Sequence, residues 1–341
     1  MTAYFLPFNK DAVSLKPSKK SSMLVRIVAL VFAMIFSMLV CTNYLKKINS
    51  YRNIKIDVIQ VFNRRSRDVD LQQSQNSWLH FPKPETFDRA ECAHNPVKYF
   101  TIISMQRSGS GWFETLLNSH ENVTSNGEIF SVPGRRRDLD SILSILNKAY
   151  NLDFFTSASK NECSAAVGFK WMLNQGLMEH HEEIREYFNR RRVSLIFLFR
   201  RNLLRRMVSL LANSYDQRAK LLNGTHKSHV HSVEEARTLA KYKPFINTSS
   251  LISDLNEIED TISKALQYFN TTRHIVLHYE DIVKNITKLR EVQEFLGVPL
   301  MQLTSKQVKI HNGALSEHIA NWEDVSATLL ATQYEEFLQS D

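Results

Sequence analysis

Hydrophobic and polar positions follow a strand-then-helix order through the C-terminal part of the chain. Four continuous apolar segments, at 98–105, 165–173, 193–199 and 273–279, are each typical of a buried strand. Helical patterns with apolar residues three or four positions apart lie between them. Strands that alternate with helices favour an α/β fold, in which a parallel sheet is flanked by helices on both faces.

The longest apolar run is N-terminal and predicts one transmembrane helix over residues 23–45. It is apolar on all faces, and its single charge, Arg26, lies near one end. Its late start and length, and the absence of a small-x-small cleavage site, argue against a signal peptide. We therefore predict a cytosolic tail (1–22), a membrane anchor (23–45), a polar and basic stem (46–96) and a folded domain (97–341).

Charge and sequons change this picture only in detail. The net charge is +8, but residues 97–341 carry 29 basic and 28 acidic side chains, so the domain gives no sign of a nucleic-acid partner. Basic residues flank the apolar run on both sides and do not fix its orientation. Five Asn-x-Ser/Thr sequons follow the run, which favours a type II protein of the Golgi membrane with a lumenal domain. In an oxidising lumen Cys92 and Cys163 are able to pair, and we leave this open.

The first strand leads into a Gly-Ser turn and then a helix, an arrangement that presents backbone N–H groups to an anion. The loop resembles a phosphate-binding P-loop, although a simple turn would have similar residues. It lacks the Lys-Ser/Thr pair of a Walker A motif, which disfavours a metal-dependent nucleotidase or kinase. The loop and the helix start comprise Arg107, Ser108, Gly109, Ser110, Gly111 and Trp112.

A second basic segment follows the strand at 193–199. Arg201 comes just after this strand, and Ser209 lies eight residues further, about two turns into the next helix. The two strand ends together resemble the sulfotransferases that use 3′-phosphoadenosine-5′-phosphosulfate (PAPS). The segment IVLHYEDIVKNITKLREVQEFLGVP also looks like part of that family. The resemblance is strongest to membrane-anchored carbohydrate sulfotransferases and to the bacterial nodulation-factor and glycolipid enzymes, and it implies the sulfotransferase fold.

The resemblance also implies roles for the donor-binding residues. The loop from Arg107 to Gly111 would hold the 5′-phosphosulfate, with Arg107 as the cation near the bridging oxygen. Trp112 would stack on adenine, or else be a core aromatic. Arg201 and Ser209 would bind the 3′-phosphate. Tyr279 would lie near the nucleotide and Lys309 would close over it. No metal is implied.

The catalytic residues are harder to assign. Soluble relatives carry a Lys-x-His after the second strand, whereas here Lys170 is followed by Trp171 and Met172. Lys170 would assist the leaving phosphosulfate or be a surface lysine in a salt bridge. Glu128 matches the glutamate that carbohydrate members place after the first helix, so we predict that it takes the acceptor's proton, with His120 as the next candidate.

Two other function classes stay open. A type II Golgi glycosyltransferase would share the anchor and stem and often needs an Asp-x-Asp pair for a metal. The pair at 68–70 lies in the predicted stem and the pair at 138–140 predicts a helix start, so neither follows a strand. A non-catalytic anchored glycan-binding protein would need no phosphate site. The histidines at 226, 229 and 231 are weak metal candidates because no cysteine or carboxylate cluster joins them. Residues 135–137 are arginines that suit either an anionic glycan or a solvated loop.

Overall fold

A computed structural model describes residues 79–160 and 163–339, and apart from these only Met34. The predicted tail, the rest of the predicted transmembrane segment and the stem up to residue 78 lie outside the described residues. Within the described part, no helix combines the length and the apolar character that a membrane crossing requires. Residues 79–160 and 163–339 belong to one compact unit.

The core of this unit is a parallel sheet of five strands in the order β2-β3-β1-β4-β5. All four strands predicted from the apolar segments are confirmed. The short strand β2 was missed, because three residues give no detectable pattern. The strands are β1 (Lys98–Ser104), β2 (Val123–Ser125), β3 (Ala166–Met172), β4 (Ser194–Phe199) and β5 (His274–His278).

Helices connect the strands and cover both faces of the sheet. Apolar residues of the sheet and helices form separate clusters on its two sides. The predicted helix start at 138–140 is confirmed, since Asp138 caps a helix by accepting a hydrogen bond from the Ser141 N–H. The helices are α1 (Ser110–Asn118), α2 (Leu139–Tyr150), α3 (His181–Arg190), α4 (Leu203–Ala219), α5 (Val233–Ala240), α6 (Thr248–Tyr268), α7 (Tyr279–Lys284), α8 (Thr287–Leu296) and α9 (Trp322–Leu329).

The central strands are buried on both faces, which explains why their sequences are continuously apolar. Ser104, the last residue of β1, is in register with Met172 of β3 and Leu198 of β4. Phe199 of β4 is in register with His278 of β5. The carboxyl ends of these strands therefore meet at one edge, where ligand sites of open α/β sheets lie.

Part of the segment assigned to the stem packs on the domain. His80 forms a β-bridge with Val97, and its ring stacks on Tyr99 with centroids 3.9 Å apart. A disulfide joins Cys92 to Cys163, 71 residues further along the chain. A disulfide that closes a loop of this length restricts the unfolded chain and thereby stabilises the folded state by roughly 4 kcal/mol. The packed region therefore begins before the predicted boundary at residue 97, and the pairing left open above is present.

Candidate active site

The loop after β1 has the backbone of an anion site. Arg107 has a φ of 67° and Gly109 a φ of 84°, so both are in the left-handed region. Arginine adopts this conformation rarely, and such residues cluster at functional sites. Helix α1 starts at Ser110 without a side-chain cap, so its first N–H groups point out of the helix end. The Ser108 hydroxyl is buried without a hydrogen-bond partner.

Position 109 requires glycine for two reasons, its left-handed φ and the closeness of the Tyr279 ring. A β-carbon at this position would lie 2.2 Å from Cδ2 of Tyr279. The Tyr279 ring packs edge-on against Trp112, with centroids 5.6 Å apart, and the Arg200 guanidinium lies 5.2 Å from the same ring. The loop, the end of β4 and the end of β5 thus meet around one tyrosine.

Arg107 connects the two predicted halves of the site. Its Nε donates a hydrogen bond to Oγ of Ser209 in α4 at 2.9 Å. Its Nη1 donates to the carbonyl oxygen of Ser228 at 2.7 Å. Arg107 and Ser209 are 102 residues apart in sequence, so their hydrogen bond brings the two basic motifs together in space.

These residues surround a cavity of about 260 Å³ at the carboxyl edge of the sheet. Its lining, as far as the structure describes it, includes no Asp or Glu. Three loop residues, Ser108, Ser110 and Gly111, are buried behind the cavity wall. Six predicted residues line the cavity, namely Arg107, Gly109, Trp112, Ser209, Tyr279 and Lys309.

The electrostatics of the cavity favour an anion. Burial and the neighbouring Arg200 lower the pKa of both Arg107 and Arg206 to about 10. Burial, His318 and nearby arginines lower the pKa of His311 to about 3, and its Nε2 is buried without a hydrogen-bond partner. The Glu280 carboxylate, 3.7 Å from Arg200 Nε, offsets part of the positive charge, and an anionic ligand would offset the rest.

The structure does not bring Arg201 to this cavity. Its guanidinium forms two hydrogen bonds with the Asp281 carboxylate, at 2.8 and 2.9 Å, and its side chain is 52% exposed. Glu280 holds the backbone here by accepting hydrogen bonds from the N–H groups of Arg201 and Asn202. Arg200, the preceding residue, lines the cavity instead. The sequence motif thus pointed to a strand end that borders the cavity, and the structure places Arg200 rather than the predicted Arg201 in the cavity wall.

The predicted catalytic residues Glu128 and Lys170 are brought together next to the cavity. Nζ of Lys170 is 3.8 Å from Glu128 Oε2 and 3.3 Å from Glu114 Oε2. Glu128 Oε1 also accepts a hydrogen bond from Gln175 Nε2 at 2.5 Å, and its side chain is 29% exposed. Lys170 is buried, so only the glutamate of this pair reaches solvent.

Three residues of the site were missed by sequence reasoning. Glu114 lies within the apolar pattern of α1, where it accepts hydrogen bonds from the Ser125 hydroxyl and the Gly127 N–H. A charged residue on the buried face of a helix was the available signal. Arg200 and His229 line the cavity, and no pattern separated them from the neighbouring arginines and histidines.

Other candidates lie in structural roles. His120 is buried, accepts a hydrogen bond from the Asn122 N–H and contacts the Pro299 carbonyl oxygen. His226 pairs with Asp216. Of the three arginines at 135–137, the first lies over the ring of Phe154 and, like the second, donates a hydrogen bond to a backbone carbonyl oxygen. The third is exposed and pairs with Asp138. Among the described residues, no group of three His, Cys, Asp or Glu side chains is arranged to hold a metal ion.

Comparison with known proteins agrees with this geometry. The profile of the sulfotransferase domain matches residues 98–323. Nodulation protein H of Rhizobium meliloti (strain 1021) is 23% identical over 253 residues, covering 72% of this chain and 96% of that protein.

The solved structures that match are more distant in sequence. A sulfotransferase from Alicyclobacillus acidocaldarius is 12% identical, with a TM-score of 0.34 over 71% of this chain and 96% of that one. The sulfotransferase domain from the curacin biosynthetic pathway is 16% identical, with a TM-score of 0.32 over 64% and 81%. Mouse sulfotransferase SULT7A1, solved in complex with PAP, is 14% identical, with a TM-score of 0.31, and the alignment covers 59% of this chain and 60% of that chain.

Proposed function

The chain belongs to the sulfotransferase domain family and is a sulfotransferase, and we propose that it moves a sulfuryl group from PAPS to a hydroxyl group of a glycan or glycoconjugate. The observation that carries this proposal is the cavity at the carboxyl edge of the sheet. Cations from the loop after β1 and from the end of β4 converge on it, and no carboxylate lines it within the described structure. A nucleotide with phosphates at both ends would satisfy this arrangement.

The donor would be held by residues from both strand ends. The N–H groups at the start of α1 and Arg107 would hold the 5′-phosphosulfate. Arg200, rather than Arg201, would bind the 3′-phosphate together with Ser209, because Arg200 lines the cavity. Trp112 and Tyr279 supply the aromatic surface for adenine.

The reaction would be an in-line displacement at sulfur. The acceptor oxygen forms a bond to sulfur while the bond from sulfur to the bridging phosphate oxygen breaks. Negative charge develops on that oxygen, which a fixed cation stabilises more strongly in the transition state than in the ground state. Arg107 is that cation in our proposal, Lys170 supports the same charge, and Glu128 takes the proton of the acceptor hydroxyl. The products would be a sulfate ester and adenosine 3′,5′-bisphosphate (PAP).

A glycan acceptor and a Golgi location are supported by less direct observations. The motifs resemble those of membrane-anchored carbohydrate sulfotransferases, and a nodulation protein is among the relatives. The disulfide between Cys92 and Cys163 suits an oxidising lumen. We therefore propose a type II protein with tail (1–22), anchor (23–45), stem and lumenal catalytic domain, inserted in the Golgi membrane.

The transfer itself is directly testable. The full chain, solubilised in detergent, is incubated with radiolabelled PAPS and a panel of glycans, glycolipids and peptides. We expect label on a glycan or glycolipid and none on peptides. Transfer from a labelled nucleotide sugar with none from PAPS would instead indicate a glycosyltransferase, and no nucleotide binding at all would indicate a glycan-binding protein.

A further inference from the structure

The glycine at position 111 and the histidine at position 229 fit each other at the start of α1. A β-carbon on Gly111 would lie 2.4 Å from both Cε1 and Nε2 of His229, too close for either to remain in place. The backbone of Gly111 is not in the left-handed region, so its conformation does not require glycine. Glycine is among the least favourable residues in a helix. The space taken by the imidazole therefore explains this glycine.

Backbone hydrogen bonds on both sides of His229 fix the position of its imidazole next to the phosphate loop. Before it, the Ser228 carbonyl oxygen accepts a hydrogen bond from Arg107 at 2.7 Å. After it, Val230 is buried, and its carbonyl oxygen accepts a hydrogen bond from the Val308 N–H at 2.9 Å. His229 itself lines the cavity, and none of the hydrogen bonds among residues 79–160 and 163–339 uses its ring nitrogens. A positioned ring with available nitrogens is suited to bind a ligand.

We propose that His229 binds the sulfuryl donor. Its imidazole, which occupies the space left by the missing side chain of Gly111, would form a hydrogen bond with the phosphosulfate beside the N-terminus of α1. This inference rests on the proposed function, because it adds a residue to the same donor site. The histidine comes from a distant loop, so the site is completed only when that loop is packed against α1.

The charge state of His229 gives this role a signature. Burial, followed by the charges of Arg107, Lys170 and His231, lowers the pKa of His229 to about 4. The ring is therefore neutral at neutral pH in the free protein. A bound anion favours the protonated form and raises this pKa. As this pKa rises, nucleotide binding takes up a fraction of a proton at His229, and affinity rises as the pH falls. His311 lines the same cavity with a pKa lowered to about 3 and is unchanged in every variant, so differences between variants report on His229.

The test is calorimetric titration of the full chain with PAP, between about pH 6 and about pH 8, in two buffers of different ionisation enthalpy. The variants are His229→Ala, Gly111→Ser and the double variant, with His231→Ala as the control, since it removes an exposed histidine of the same loop. We expect each single change to weaken PAP binding by about tenfold or more. The double variant should bind more tightly than the product of the two losses, because serine then has room and supplies a hydroxyl donor.

Proton uptake separates a ligand contact from a structural role. We expect His229→Ala and His229→Gln to take up fewer protons than the wild type on binding PAP. His231→Ala should stay close to the wild type, because His231 has the smallest effect of the three charges that lower the pKa of His229. Unchanged affinity and proton uptake in His229→Ala, while the wild type binds PAP, would overturn this inference and leave the proposed function intact. A wild type that does not bind PAP would overturn the proposed donor, and this inference with it.

Discussion

The donor cavity and the polar cluster around Lys170 are neighbours, yet they balance charge in opposite ways. Lys170 is buried between Glu114 and Glu128, which provide its counter-charges. The cavity is lined by Arg107, Arg200 and Lys309 without a carboxylate in the described lining. Arg200 has the Glu280 carboxylate 3.7 Å from its Nε, whereas Arg107 donates its hydrogen bonds to uncharged oxygens. A buried cation with its own carboxylates is complete within the protein, whereas one held by uncharged groups favours an external anion. On this difference in charge balance we base the proposal that the Lys170 cluster takes part in the chemical step and that the cavity holds the nucleotide.

The largest effect is expected at the Lys170 cluster. Glu128→Gln keeps the shape of the side chain and removes the proton acceptor, so we expect turnover to fall by about 10² to 10⁴ fold. PAP affinity should stay within about twofold, because Glu128 does not line the donor cavity. Steady-state kinetics and calorimetry on the same preparation check this. Full turnover in Glu128→Gln would remove the glutamate from its role.

Folding stability should distinguish the two regions next. Lys170→Met leaves the buried Glu114 and the partly exposed Glu128 without their cation, and we expect the free energy of unfolding to fall by about 3 to 5 kcal/mol. Arg206→Met is the matched change near the cavity. Arg206 is buried, its pKa is lowered by burial and by Arg200, and its Nε is without a hydrogen-bond partner. Denaturant unfolding without nucleotide should show little loss in this variant. Equal losses in both variants would contradict the contrast.

Adjacent arginines offer a third comparison, on nucleotide affinity. A charge-assisted hydrogen bond contributes about 1.5 to 3 kcal/mol, so Arg200→Ala should weaken PAP binding by about 10- to 150-fold. Arg201→Ala removes an exposed ion pair with Asp281 and should change the affinity by less than about twofold. Calorimetric titration of both variants measures this difference. The reverse result would return the 3′-phosphate to Arg201.

The fold was largely predictable because its signals are local. Strands buried on both faces give continuous apolar segments, and the glycine-rich turn after β1 marks the anion loop. Strand β2 escaped because Val123–Ser125 is too short to show a period. The segment before Val97 appeared to be stem, because its packing depends on contacts such as the Cys92–Cys163 disulfide that its own composition does not reveal.

The sequence motifs predicted where the site lies in the fold, but not which side chains face the cavity. The motifs located the two strand ends, but the direction of each arginine side chain depends on Glu280 and Asp281, which come from another part of the chain. His229 reaches the loop because the next residue, Val230, forms a β-bridge with Val308, which is far away in sequence. Such choices are made by tertiary contacts, so a single sequence does not specify them.

The most direct test of a donor site with two anion-binding ends compares two nucleotides. Calorimetry with the full chain measures the affinity for PAP and for adenosine 5′-monophosphate, which lacks the 3′-phosphate. We expect PAP to bind at least about tenfold more tightly, and the difference to disappear in Arg200→Ala. Equal affinity of the wild type for the two nucleotides would contradict the proposal that the cavity binds both ends of the donor.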